Sequence, residues 1–141
     1  MFELMKPISV LSLVALAAGM WGGCVQVPGE GGRASITGRV EIEPRSVLTN
    51  PATAGAPYAA TDENVFLIYG DNVGPDDQVE TNHEGNFVFP WLRPGDYTVY
   101  VYSEDTSGTN PPQDLVVLQK VTIESATETL VLDTLRVYKE L

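Results

Sequence analysis

The sequence predicts an all-β fold, a single two-layered sandwich of about seven strands that follows an N-terminal signal segment. Three observations carry that expectation. Apolar and polar residues alternate in short runs, which is the pattern of strands buried on one face. Glycine and proline, 13 and 10 of the 141 residues, punctuate the chain at short intervals and break it into strands joined by turns. No useful amphipathic helical window follows the N-terminal apolar run. Short strands with such turns pack as a sandwich or a barrel. The length suits one domain, and 43% hydrophobic residues are enough for a packed core.

The N-terminus is a separate object. Met1 to Lys6 holds one acid, Glu3, and one base, Lys6, and an apolar run follows from Ile8 to Trp21. That run is shorter than the roughly 20 apolar residues needed to span a bilayer. It fits the hydrophobic region of a signal peptide, and Gly22 and Gly23 supply small residues after it. Cys24, the one cysteine of the chain, comes next and has no partner for an internal disulfide. "WGGC", residues 21–24, resembles the lipobox of bacterial lipoproteins, with Trp21 where an aliphatic residue is usual. The resemblance implies a signal peptide over 1–23 and acylation of Cys24 with palmitate-type chains. It also implies a cell-envelope protein held on a membrane, the outer membrane in a Gram-negative cell. One acyl chain binds a bilayer only marginally, whereas two or three anchor stably. The alternatives are an ordinary secretory signal that leaves a free thiol, and an uncleaved N-terminal helix.

Residues 24–33 then read as the lipidated cysteine and a short flexible linker, because Pro28, Gly29, Gly31 and Gly32 crowd it. Its extended reach is at most about 30 Å, so a folded part at 34–141 sits close to the membrane.

The strands follow in order. "ASITGRVEIE" (34–43) sets Ile36, Gly38, Val40 and Ile42 against polar partners, a half-buried strand. "ENVFLIYG" (63–70) is a shorter, more continuous apolar run, and Val79 to Thr81 is a weak strand ending in the turn "TNHEGN" (81–86). "FVFPW" (87–91) and "DYTVYVYS" (96–103) flank Pro94-Gly95, which predicts a type II turn and a β-hairpin. "DLVVLQKVTIE" (114–124) holds one strand or a short one and a longer one, and "ETLVLDTLRVYK" (128–139) closes the chain.

Thr81, Gly85, Phe87, Phe89, Leu92, Pro94, Gly95, Tyr97, Val99 and Val101 form the pattern T-x-x-x-G-x-F-x-F-x-x-L-x-P-G-x-Y-x-V-x-V. With "ITGRV" and "NVFLIY" it resembles the carboxypeptidase regulatory-like domain, related to transthyretin-like and collagen-adhesin B-type repeats. The resemblance implies an Ig-like or prealbumin-like sandwich, in which the second and fifth strands are neighbours. It implies no particular activity, since such domains serve many proteins. The Lys–Asn crosslink of the adhesin repeats needs a lysine on the first strand, where this chain has Arg33 and Arg39, and it is not carried over.

Alternation also predicts an outer face. If Val65, Leu67 and Tyr69 point inward with Tyr97, Val99 and Val101, then Phe66, Ile68, Tyr100 and Tyr102 point outward and form an apolar, aromatic patch. Such patches mark interaction sites. The competing expectation is that the long loop 44–62 folds over this face. Both that loop and 103–114 are long and polar or proline-rich, and read either as ligand-binding or as linker-like.

Catalytic residue types are sparse. His83, the one histidine, falls in a turn, and no G-x-S-x-G motif is present. No zinc-ligand spacing occurs, and Asp71, Asp76 and Asp77 lack the EF-hand spacing of a calcium loop. The chain therefore reads as non-enzymatic, without metal or cofactor. Its net charge of −11 excludes nucleic acid, which needs basic surface. The expectation is a membrane-anchored envelope lipoprotein that acts as a binding or assembly module for an envelope protein. The alternative is a carbohydrate-binding accessory domain for a neighbouring transporter or enzyme.

Overall fold

The computed structural model describes residues 27–46, 55–107 and 113–140. The apolar run, Cys24 and the middles of both long loops lie outside the described residues. Among the described residues nine strands form two sheets: β1 (Glu30–Arg45), β2 (Tyr58–Ala59), β3 (Asn64–Tyr69), β4 (Asp77–Glu80), β5 (Asn86–Leu92), β6 (Gly95–Ser103), β7 (Leu115–Ile123), β8 (Thr129–Val131) and β9 (Leu135–Glu140). In one sheet β1 is central. β5 and β2 run antiparallel along one side of it, and β8 and β9 run parallel along the other. The other sheet has the order β4-β3-β6-β7. Nine strands stand where the sequence predicts about seven, because β2 arises within the 44–62 segment and the 128–139 run gives both β8 and β9.

The core is what the alternation demands. Ile36, Val40 and Ile42 of β1, Phe87, Phe89 and Leu92 of β5, and Leu135 and Val137 of β9 meet Val65 and Leu67 of β3 and Tyr97, Val99 and Val101 of β6. The spacing from Phe89 to Leu92 places both inward because Trp91 takes a φ of 60°, which adds a residue to the strand. Pro90 and Trp91 are then both exposed while Leu92 is buried. This accounts for the F-x-F-x-x-L spacing that strict alternation does not.

Four sequence expectations are corrected. β5 and β6 are not a hairpin. β5 pairs with β1 in one sheet and β6 with β3 and β7 in the other, so the Pro94-Gly95 connection crosses between layers. Phe87 and Phe89 face Tyr97 and Val99 across the core and do not lie beside them in one sheet. The connection is also not a type II turn, since Gly95 has a φ of 146° where that turn needs about +80°. The 128–139 run is interrupted, giving β8 and β9 with buried Leu132 between them. The fourth correction concerns the linker. β1 begins at Glu30, before the boundary expected at 34, and pairs with Leu92 there. Pro28 lies against Gly95, close enough that a Cβ on that glycine would come within 2.9 Å of it.

The side chain that fixes this entry is Tyr97. Its hydroxyl accepts the Gly29 N–H at 2.9 Å and donates to the Arg93 carbonyl at 2.7 Å, while its ring is buried. Burial raises its pKa. Tyr97→Phe would leave the buried Gly29 N–H without its acceptor, which costs about 1–3 kcal/mol. The expected result is a lowered denaturant midpoint with faster hydrogen exchange at Gly29. An unchanged Gly29 exchange rate would mean the hydroxyl does not hold the entry.

Candidate functional site

The four-stranded sheet turns its outer face away from the core, and its register decides what that face carries. Phe66 pairs with Tyr100, Tyr100 with Leu118, and Tyr102 with Val116. One step toward the Gly95 end, Ile68 pairs with Thr98 and Thr98 with Lys120. Side chains directly across a ladder share a face. Phe66, Ile68, Tyr100, Tyr102, Val116 and Leu118 therefore form one continuous apolar surface across β3, β6 and β7. The expected neighbourhood of the second and fifth strands is present as the β3–β6 pairing.

Three rings make its centre. Phe66 stacks on Tyr100 with centroids 5.0 Å apart and planes at 17°. Tyr102 meets Phe66 edge-on at 5.5 Å and Tyr100 at 5.6 Å. Such contacts add about 0.5–1.5 kcal/mol each beyond buried area. They also change the expected exposure. Phe66 and Ile68 are half-buried, and Tyr100 is only 8% exposed although it points outward. Its lateral neighbours cover it. Burial, and then its hydrogen bond with Tyr102, raise the Tyr100 pKa. Tyr102, Val116 and Leu118 are the open part, at 45%, 51% and 53%.

β7 supplies two residues that the sequence reading missed. "LVVL" has no period, so nothing in the sequence says which of Leu115, Val116, Val117 and Leu118 face out. The β6–β7 register is what assigns them. On the β4 side the surface ends in polar groups. Gln78 donates its amide to Asn64 Oδ1 at 2.6 Å, and Glu80 pairs with Asn64 in the ladder.

The described ends of the 44–62 segment run with the other sheet, where β2 pairs with Glu41 and Ile42 of β1 and Ala60 enters the core. Residues 47–54 lie outside the described residues.

The other sequence candidates have structural work. Asp76 accepts the Tyr69 N–H at 2.7 Å and the Asn72 amide at 2.9 Å, and Asp77 accepts the Gln78 N–H at 2.7 Å. These carboxylates shape the β3–β4 turn. With burial, which acts most, and Glu30, they push the Tyr69 pKa to about 12. Among the described residues no group of three or more His, Cys, Asp or Glu is placed to hold a metal ion. His83 is exposed in its turn, and its carbonyl accepts the Thr61 hydroxyl at 3.4 Å. Ser103 is buried and accepts the Tyr138 N–H at 2.7 Å, an arrangement that ties β6 to β9. Cys24 lies outside the described residues.

No family model matches the chain, and no curated protein matches it. Among solved structures, one neighbour is a crystal structure of a Pseudomonas aeruginosa protein proposed to bind carbohydrate. It is 14% identical with a TM-score of 0.45, over 74% of this chain and 90% of that one. Neither value is high enough to carry anything from that protein to this one.

Proposed function

We propose that this chain is a membrane-anchored envelope lipoprotein, and that its sandwich is a non-catalytic docking module of the carboxypeptidase regulatory-like kind. The single observation that carries the reading is the continuous apolar outer face of the four-stranded sheet, open at Tyr102, Val116 and Leu118. Exposed apolar surface of this kind is buried in a complex.

The anchor rests on the place of Cys24 directly after the apolar run. From Cys24 to Pro28, which packs on the fold, the chain reaches at most about 14 Å. β6 leads away from that end, beginning at Gly95 beside Pro28. At about 3.3 Å per residue, Tyr100 stands about 17 Å further along the strand. On this reading the short tether keeps the fold, and the docking face with it, close to the membrane.

The ring geometry favours a protein partner over a glycan. Sugar stacking needs open ring faces, and here Phe66 and Tyr100 cover one another. Tyr102 is the one aromatic of the cluster exposed by nearly half, and its open neighbours are aliphatic.

The test uses the full chain in native membranes. Tyr102→Ser combined with Leu118→Ser is expected to cost about 1–2 kcal/mol of stability, since both side chains are half open, and to lower the yield of crosslinked protein partner at least tenfold. Cys24→Ala is expected to release the chain from the membrane fraction. A folded double variant with unchanged partner yield would overturn the docking face. Saturable glycan binding lost in the double variant would favour the carbohydrate reading.

A further inference from the structure

We propose that the free edge of β7 takes one further strand from the partner, an extended apolar segment flanked by basic residues. This deepens the docking reading and rests on it. The sheet order β4-β3-β6-β7 leaves two edges among the described residues, and they differ. β4 is four residues long and carries Asp77 and Glu80, the usual way an edge is protected from pairing. β7 runs for nine residues in unbroken register with β6, from Ile123 opposite Gly95 to Leu115 opposite Ser103. It carries one guarding charge, Lys120, toward its far end, and neither proline nor bulge, so its first five residues, Leu115 to Gln119, are without charge.

Both of its faces are apolar and open at its start. Leu115, opposite the buried Ser103, is 46% exposed on the core side, and Val116 is 51% exposed on the outer side. A long, regular, apolar edge is a template for another strand. In strand addition the main chain supplies the hydrogen bonds, and alternate side chains fill the adjoining surface. Here that surface is Val116 and Leu118, so the added strand continues the docking face.

Charge selects the occupant. Asp114 and Glu124 bracket β7. At the Leu115 end a depression of about 280 Å³ is lined by Glu104, Asp105, Asp114 and Glu140 together with Gln113. A second copy of this chain paired antiparallel about Gln119 would set Asp114 against Glu124 at both ends, and like charges across a ladder are unfavourable. Each copy also carries a net charge of −11. A partner strand with basic residues at its ends meets attraction at both.

The probe is a synthetic peptide of alternating Val and Thr with two Lys at each end, titrated into the full chain in detergent micelles. Binding is expected to be saturable and to slow β7 amide exchange at least tenfold. Methylating alternate peptide backbone nitrogens, or replacing its Lys with Glu, should each weaken binding at least tenfold. Asp114→Lys with Glu124→Lys should restore the Glu-flanked peptide. Equal binding of the N-methylated peptide would overturn the edge, and so would no binding at all. A dimer in sedimentation that protects the β7 amides would overturn the choice of occupant. These failures are separable from failure of the docking face. If partner yield still falls in the Tyr102→Ser, Leu118→Ser variant while the peptide fails, only the edge is lost.

Discussion

Phe89→Ala is expected to remove about 3–5 kcal/mol of stability, a large share of the roughly 5–15 kcal/mol that holds a domain of this kind. Phe89 is fully buried, and it meets Phe87 edge-on at 5.9 Å. It lies on β5 beside β1 and points its ring toward the opposite sheet, so the cavity left behind opens inside the core. Relaxation there is limited because β5 is held to β1 from Arg39 to Ile36. His83→Ala in the exposed turn is expected to stay within about 0.5 kcal/mol. Urea melts of the two variants decide the matter. A larger loss for His83 than for Phe89 would mean the faces of β5 are inverted.

Gly85→Ala is expected to cost about 3 kcal/mol or more, from two separable causes. Gly85 has a φ of 79°, where a residue with a Cβ is strained by about 1–2 kcal/mol. A Cβ there would also come within 2.4 Å of the Val40 carbonyl oxygen and 3.2 Å of the Ala60 nitrogen. Those atoms belong to the ladder that joins the turn to β1, where the Val40 N–H donates to the Gly85 carbonyl at 2.8 Å and the Ala60 N–H to the Val40 carbonyl at 3.0 Å. The clash therefore displaces main-chain hydrogen bonds. Gly74 separates the causes. Its φ is 90°, and nothing lies within 4 Å of a Cβ built on it, so Gly74→Ala should cost only the conformational part. Equal denaturant midpoints for the two variants would show that the close approach at Gly85 does not matter.

Much of this was legible in the sequence because burial has a period. The alternation in β3 and β6 assigned Val65, Leu67, Tyr97, Val99 and Val101 to the core and Phe66, Ile68, Tyr100 and Tyr102 to the outer face, and the structure places them so. Inward-facing residues look the same, however, whether two strands pair side by side or face each other across a core. That is why β5 and β6 read as a hairpin. The exposure of Tyr100 was not legible, because lateral cover by Phe66 and Tyr102 depends on register and ring rotation. Val116 and Leu118 were hidden by the aperiodic "LVVL". The ordered entry at Gly29 depends on a hydroxyl 68 residues away in sequence, a contact that glycine-rich composition cannot signal.

The most direct test of the docking face places a photo-crosslinking side chain at Leu118, and in a second strain at Val131, with the chain in native membranes. Both positions are exposed, at 53% and 73%, but Val131 belongs to the other sheet. A single predominant protein adduct from position 118, and none from 131, is the expected result. Equal adducts from both positions, or none from 118, would contradict a docking face on the four-stranded sheet.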